Sequence, residues 1–130
     1  MKKIELKSLV AGILLALLVC RLFFSFASPF SHQLFALFLA YTACVYLGAA
    51  LSDGRVKWIS IEFILSCVFF NLAFLGLAFS PVWLAIGFLV HGLWDILHHP
   101  KLIKTKVVKW FPPLCAIYDL VVAIFIFQFF

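Results

Sequence analysis

The chain has 130 residues, of which 67% are hydrophobic and 12% charged, and its mean hydropathy is +1.23. A soluble domain of this size has too little interior to bury so much apolar side chain. A soluble enzyme, a disordered tail and a nucleic-acid module are therefore excluded, even though 10 Lys and Arg outnumber 5 Asp and Glu.

A membrane-crossing helix needs about 20 mostly apolar residues, and the sequence divides into five such runs. The first covers residues 8–27 and follows a basic start containing Lys2, Lys3 and Lys7. It is longer than the apolar core of a signal peptide, so an uncleaved span is expected. Ser28-Pro29-Phe30-Ser31 reads as a turn before a second span over 32–51. Ser52-Asp53-Gly54-Arg55 is a polar turn, and a third span follows over 56–79. Ser80-Pro81 breaks the chain, because proline disfavours helix at the residue before it. A short fourth span over 82–98 ends at His99-Pro100. Lys101, Lys104, Lys106 and Lys109 form a basic connector, and the fifth span over 112–130 opens on Pro112, a residue suited to a helix start. The expected architecture is an all-α integral membrane protein, with a five-helix transmembrane bundle as a single domain over 1–130.

Charge gives the bundle a direction. With five spans, the N-terminus, the turn between spans two and three, and the connector share one side. That side carries every Lys and Arg but Arg21: Lys2, Lys3, Lys7, Arg55, Lys57 at the start of span three, and the four connector lysines. The turns and terminus of the other side carry none. Positive charge stays cytoplasmic, so the N-terminus is expected inside and the C-terminus outside. Trp58 and Trp110 then fall at the inner boundary and Trp83 at the outer one, as in an aromatic belt. The connector lysines are expected to contact anionic lipids. Cys20, Cys44, Cys67 and Cys115 all lie in apolar runs without a C-x-x-C pair, so neither a disulfide framework nor thioredoxin-like chemistry is expected.

Charges inside hydrocarbon are costly and mark functional candidates. The spans contain Arg21, Glu62, Asp95 and Asp119, with His91 and His98 beside them. At about 1.5 Å per residue, Glu62, Asp95 and Asp119 lie about 8–10 Å from the inner edge and His91 about 15 Å, whereas Arg21 falls in the outer half. Arg21 is expected to snorkel or to pair with His32 or Asn71. His91, Asp95 and His98 point within about 60° of one another on one helical face. Two imidazoles and a carboxylate on one stripe supply three ligands for a divalent metal, and Asp119 or Glu62 can add a fourth ligand or act as general base. Mixed nitrogen and oxygen donors suit zinc, iron or manganese better than magnesium. Gly92 would let a neighbouring helix approach closely. Whether His99 and Cys115 join the site is left open. So is a purely structural role, in which the histidines cap a helix end and the acids hydrogen-bond across helices.

The His91 to His99 run, which reads H-x-x-W-D-x-x-H-H, resembles a family of small bacterial multi-pass membrane proteins without assigned function. The Pro112-x-x-Cys115-x-x-x-Asp119 pattern and Asp53-Gly54-Arg55 share the resemblance, which covers roughly residues 45 to 125. It implies a bacterial inner-membrane protein and no particular activity.

Three functions compete. The first is a metal-dependent membrane enzyme acting on a lipid or other apolar substrate, with His91, Asp95 and His98 on the ion and Asp119 or Glu62 as catalytic group. The second is a small proton-coupled transporter, against which stands the one-sided placement of the polar residues. The third is a non-enzymatic subunit whose polar cluster is structural. A homo-oligomer is compatible with each.

Overall fold

The computed structural model describes residues 3–99 and 102–130. Their regular structure is entirely helical: α1 (Lys3–Phe24), α2 (Phe30–Asp53), α3 (Val56–Ala78), α4 (Val82–His98) and α5 (Phe111–Phe129). All but α4 are long and apolar enough to cross a membrane. The 17 residues of α4 give a helix about 26 Å long, a little short of the roughly 30 Å of hydrocarbon. By helix length and composition this is a multi-pass membrane protein.

The helix ends follow local chemistry. α2 stops at Gly54, whose φ of 78° is left-handed and whose N–H closes on the Ala50 carbonyl at 3.0 Å. Glycine adopts this conformation without a Cβ penalty. Pro112 and Pro113 sit in the first turn of α5, where a missing N–H breaks no helical hydrogen bond. α4 begins just past Ser80-Pro81, and the Val82 N–H donates to Ser80 Oγ at 3.4 Å.

The helices pack in the order α1–α5–α4–α3–α2, with the α4–α5 interface the most extensive. α2 also touches α4 and α1, so α4 is flanked by three helices and is the centre of the bundle. It buries Leu84, Ala85, Gly87, Phe88, His91, Gly92, Asp95 and His98. α3 buries a narrow stripe of Glu62, Ser66, Phe69, Ala73 and Gly76, spaced by three and four residues as expected of one helical face. Phe35, Leu39, Phe88, Val122 and Ile126 fill the apolar core. Lipid tails are as apolar as leucine, so membrane helices associate largely through close packing of small residues. A Cβ at Gly12 of α1 would lie 2.5 Å from the Leu114 carbonyl oxygen of α5. One at Gly92 of α4 would lie 3.2 Å from the Ala116 carbonyl and 3.3 Å from Asp119 Cβ.

The expected grouping of chain segments is visible at the ends of the bundle. His99 Nε2 meets Glu5 Oε1 at 3.1 Å, linking the end of α4 to the start of α1. Lys106 Nζ lies 3.2 Å from Asp53 Oδ1, linking the connector to the α2–α3 turn. Arg55 pairs with Asp53 and donates to the Lys104 carbonyl in the same region. At the opposite end Phe130 packs on His32 and Phe24. Lys2 and Lys101 lie outside the described residues.

Replacing Gly12 with leucine is expected to wedge α1 from α5 and destabilise the bundle by about 1–3 kcal/mol, the usual cost of overpacking. Thermal unfolding in detergent checks this. A variant as stable as the parent would contradict the close approach.

Candidate functional site

The buried polar side chains form two clusters with opposite character. The first lies between α4 and α5. His91 and Asp95 stand four residues apart on α4, and Asp119 faces them from α5. His91 Nδ1 and Asp119 Oδ2 are hydrogen-bonded at 2.6 Å, and the same nitrogen lies 3.4 Å from Asp95 Oδ2. Each residue offers one ligand atom, and these atoms lie within 4.8 Å of one another. All three residues are at most 2% exposed.

This cluster is under-satisfied. His91 Nε2, both Asp95 oxygens and Asp119 Oδ1 are buried without a hydrogen-bond partner among the described residues. The same holds for the hydroxyl of Tyr46, which reaches the site from α2 beside Asp95. Phe69 of α3 closes the wall with its ring edge-on to His91 at 4.7 Å. Native interiors pair nearly all of their buried polar atoms, so this concentration of orphans calls for an explanation such as an ion, a proton or water.

The second cluster is closed. Glu62 of α3 accepts from Trp94 Nε1 on Oε2 at 3.1 Å and from Thr105 Oγ1 on Oε1 at 2.7 Å. His98 Nε2 also meets Oε1, at 2.8 Å. His98 Nδ1 lies 2.9 Å from the Trp94 carbonyl. A carbonyl only accepts, so this nitrogen carries a hydrogen. Tyr46 stacks on the His98 ring, with centroids 3.8 Å apart and planes 12° from parallel. Both carboxylate oxygens and both ring nitrogens are occupied, and the cluster ties α3, α4 and the connector together.

The structure therefore distributes the expected residues differently from the sequence reading. His91, Asp95 and Asp119 come together, while His98 joins Glu62. His91 and His98 do point the same way, but seven residues separate them by about 10.5 Å along the helix axis. Glu62 meets three partners, so both of its oxygens are already engaged within the second cluster. Cys115 is half-buried beside Asp95 and Asp119 but outside the three-residue group. His99 is engaged with Glu5. No Arg21 pairing with His32 or Asn71 is formed among the described residues: the contacts there are His32 with Ser28 at 3.5 Å and Asn71 with the Cys67 carbonyl.

Tyr46, Trp94 and Thr105 were not anticipated. Tyr46 had a usable signal, since seven residues before Asp53 place it about 10 Å deep, level with Asp95. Thr105 sits in irregular chain, where no periodicity points to burial.

A family model described as a family of unknown function, DUF6010, matches residues 7–129. The chain belongs to this family. The DUF6010 match spans all five helices and both polar clusters. The expected kinship with proteins lacking an assigned function holds to that extent. No curated protein and no solved structure matches the chain.

Removing one partner from a buried pair leaves the other uncompensated, at a cost of about 3–5 kcal/mol. Glu62→Leu and His98→Leu are each expected to destabilise this DUF6010 protein by about that much, and the double variant by clearly less than their sum. A double-mutant cycle on thermal or denaturant unfolding measures the coupling. Additive effects would contradict the paired geometry.

Proposed function

We propose that His91, Asp95 and Asp119 hold a divalent cation and that the protein is a metal-dependent membrane enzyme acting on a lipid or other apolar substrate. The observation that carries this reading is that His91, Asp95 and Asp119 each bring one ligand atom to within 4.8 Å of the others, and that each also has a buried side-chain atom without a hydrogen-bond partner among the described residues. Two carboxylates ionised without compensation are costly at this depth. One divalent ion would balance both and give the orphaned atoms a partner. Ligand atoms bonded at about 2.1 Å can stand up to about 4.2 Å apart, so a contraction of roughly half an ångström suffices. One nitrogen and carboxylate oxygens suit zinc, iron or manganese.

A bound ion there would act as a Lewis acid and lower the pKa of coordinated water. Tyr46 is placed to orient Asp95, and Asp119 to fix the His91 ring. Partial exposure of Cys115 on α5 favours entry of an apolar substrate from the bilayer side of that helix. Glu62 and His98 act in this reading as structural support rather than as base and ligand. In the cell the protein is proposed to sit in the bacterial inner membrane. The basic end holding Arg55, Lys104, Lys106 and Lys109 faces the cytoplasm and its anionic lipids, and Phe130 lies outside.

The short His91–Asp119 hydrogen bond favours a second reading, in which the cluster carries a proton for coupled transport. Elemental analysis separates the two. Protein purified without chelator is expected to contain about one divalent ion per chain, because three ligands from two helices make one site. His91→Ala and Asp119→Asn are expected to lose the ion, and His98→Ala to keep it. A metal-free protein whose thermal stability ignores added zinc, iron and manganese would defeat the enzyme reading and leave proton carriage.

A further inference from the structure

We propose that two copies of the chain pair through the outward face of α3, centred on Asn71. The inward face of α3 is fully used by the stripe from Glu62 to Gly76. On the outward face, Phe63, Ile64, Cys67, Val68 and Asn71, with the core-packed Leu72 at the edge, line an open furrow to which no other helix contributes. Asn71 stands fifteen residues after Val56 and seven before Ala78, about 22 Å and about 10 Å from the two helix ends. It is exposed, well inside the span, and its surroundings are apolar side chains.

The Asn71 side chain makes one hydrogen bond among the described residues, from Nδ2 to the Cys67 carbonyl at 2.8 Å. Its carbonyl oxygen and second N–H have no hydrogen bond among the described residues, and hydrocarbon around an exposed position of the span would offer neither donor nor acceptor. A carboxamide is both donor and acceptor, so a second carboxamide at the same depth satisfies it completely. Asparagine is one of the residues that join membrane helices across an interface in this way.

A second copy supplies that group without further assumption. Copies inserted in the same orientation pair about a two-fold axis along the membrane normal, and a two-fold interface brings the same patch together from both subunits. Each α3 residue near the axis therefore faces its own counterpart at its own depth. Asn71 meets Asn71, and exposed Cys67, one turn away on the same face, meets Cys67. The furrow receives the ridge of the partner helix. This pairing lies on the opposite side of α3 from the polar clusters and does not depend on whether an ion is bound.

Oxidative cross-linking in native membranes and in proteoliposomes tests the pairing, with copper phenanthroline as oxidant. The parent and Cys44→Ser are expected to give a disulfide-linked homodimer, and Cys67→Ser none, although Cys44 is also exposed. Asn71→Gln is expected to retain the dimer. Asn71→Leu is expected to weaken it about tenfold, the order of an interhelical hydrogen bond in a bilayer, with unchanged thermal unfolding of the single chain. The dimer is expected to persist when the vesicles are diluted with excess lipid. Four results would overturn the proposal: no Cys67 homodimer, a dimer linked through Cys44 instead, a dimer lost on lipid dilution, or one as strong in Asn71→Leu as in the parent. A Cys67 adduct to another protein, with no homodimer, would overturn it too.

Discussion

Asp95 lies at the centre of the bundle, and neither of its buried carboxylate oxygens has a hydrogen-bond partner among the described residues. A buried carboxylate is costly unless protein, water, a proton or a cation compensates it. Much of the packing around it follows from this constraint. His91 stands one turn away on the same helix. Gly92 lets α5 come close enough to bring Asp119 opposite. Tyr46 fills the α2 side, and Phe69 seals the α3 side. Side chains from four helices therefore converge on one site, and the shortest helix, α4, is flanked there by α2, α3 and α5.

The second cluster explains how that arrangement is held. Glu62 gathers hydrogen bonds from α4 and from the connector. Thr105 is thereby buried although its neighbours Lys104 and Lys106 are exposed. Because all of its groups are paired, this cluster can rigidify the inner end without drawing in a ligand. The two clusters share Tyr46, which stacks on His98 and lies beside Asp95. One site is saturated and the other wanting, and the physical difference between scaffold and reaction centre is proposed to lie there.

Much of this was legible in the sequence. Proline and glycine punctuation placed five helices, and α4 runs from Val82 to His98 where Ser80-Pro81 and His99-Pro100 bracket it. The polar residues stood out because the rest of each run is apolar, and estimated depth suggested one layer for Asp95, Asp119 and Glu62, which the structure divides between two clusters. Which of them touch was harder to read. Angular direction put His98 with His91, but axial rise separates them by two turns, so the ligand stripe divides between two clusters. Whether Asp119 or Glu62 completes the first cluster depends on which helix approaches α4 at Gly92, and periodicity within one helix carries no such information. Thr105 was invisible for a related reason: its burial comes from a tertiary contact across 43 residues.

The most direct test of the account is an experimental structure of the protein in lipid, with diffraction recorded on both sides of the absorption edge of the metal found by elemental analysis. One anomalous peak is expected within coordination distance of His91, Asp95 and Asp119, with none at Glu62 and His98. A peak bound by His98 in place of Asp119 would contradict the assignment. So would a fully ordered cluster with no peak, its carboxyl groups joined to one another through protons.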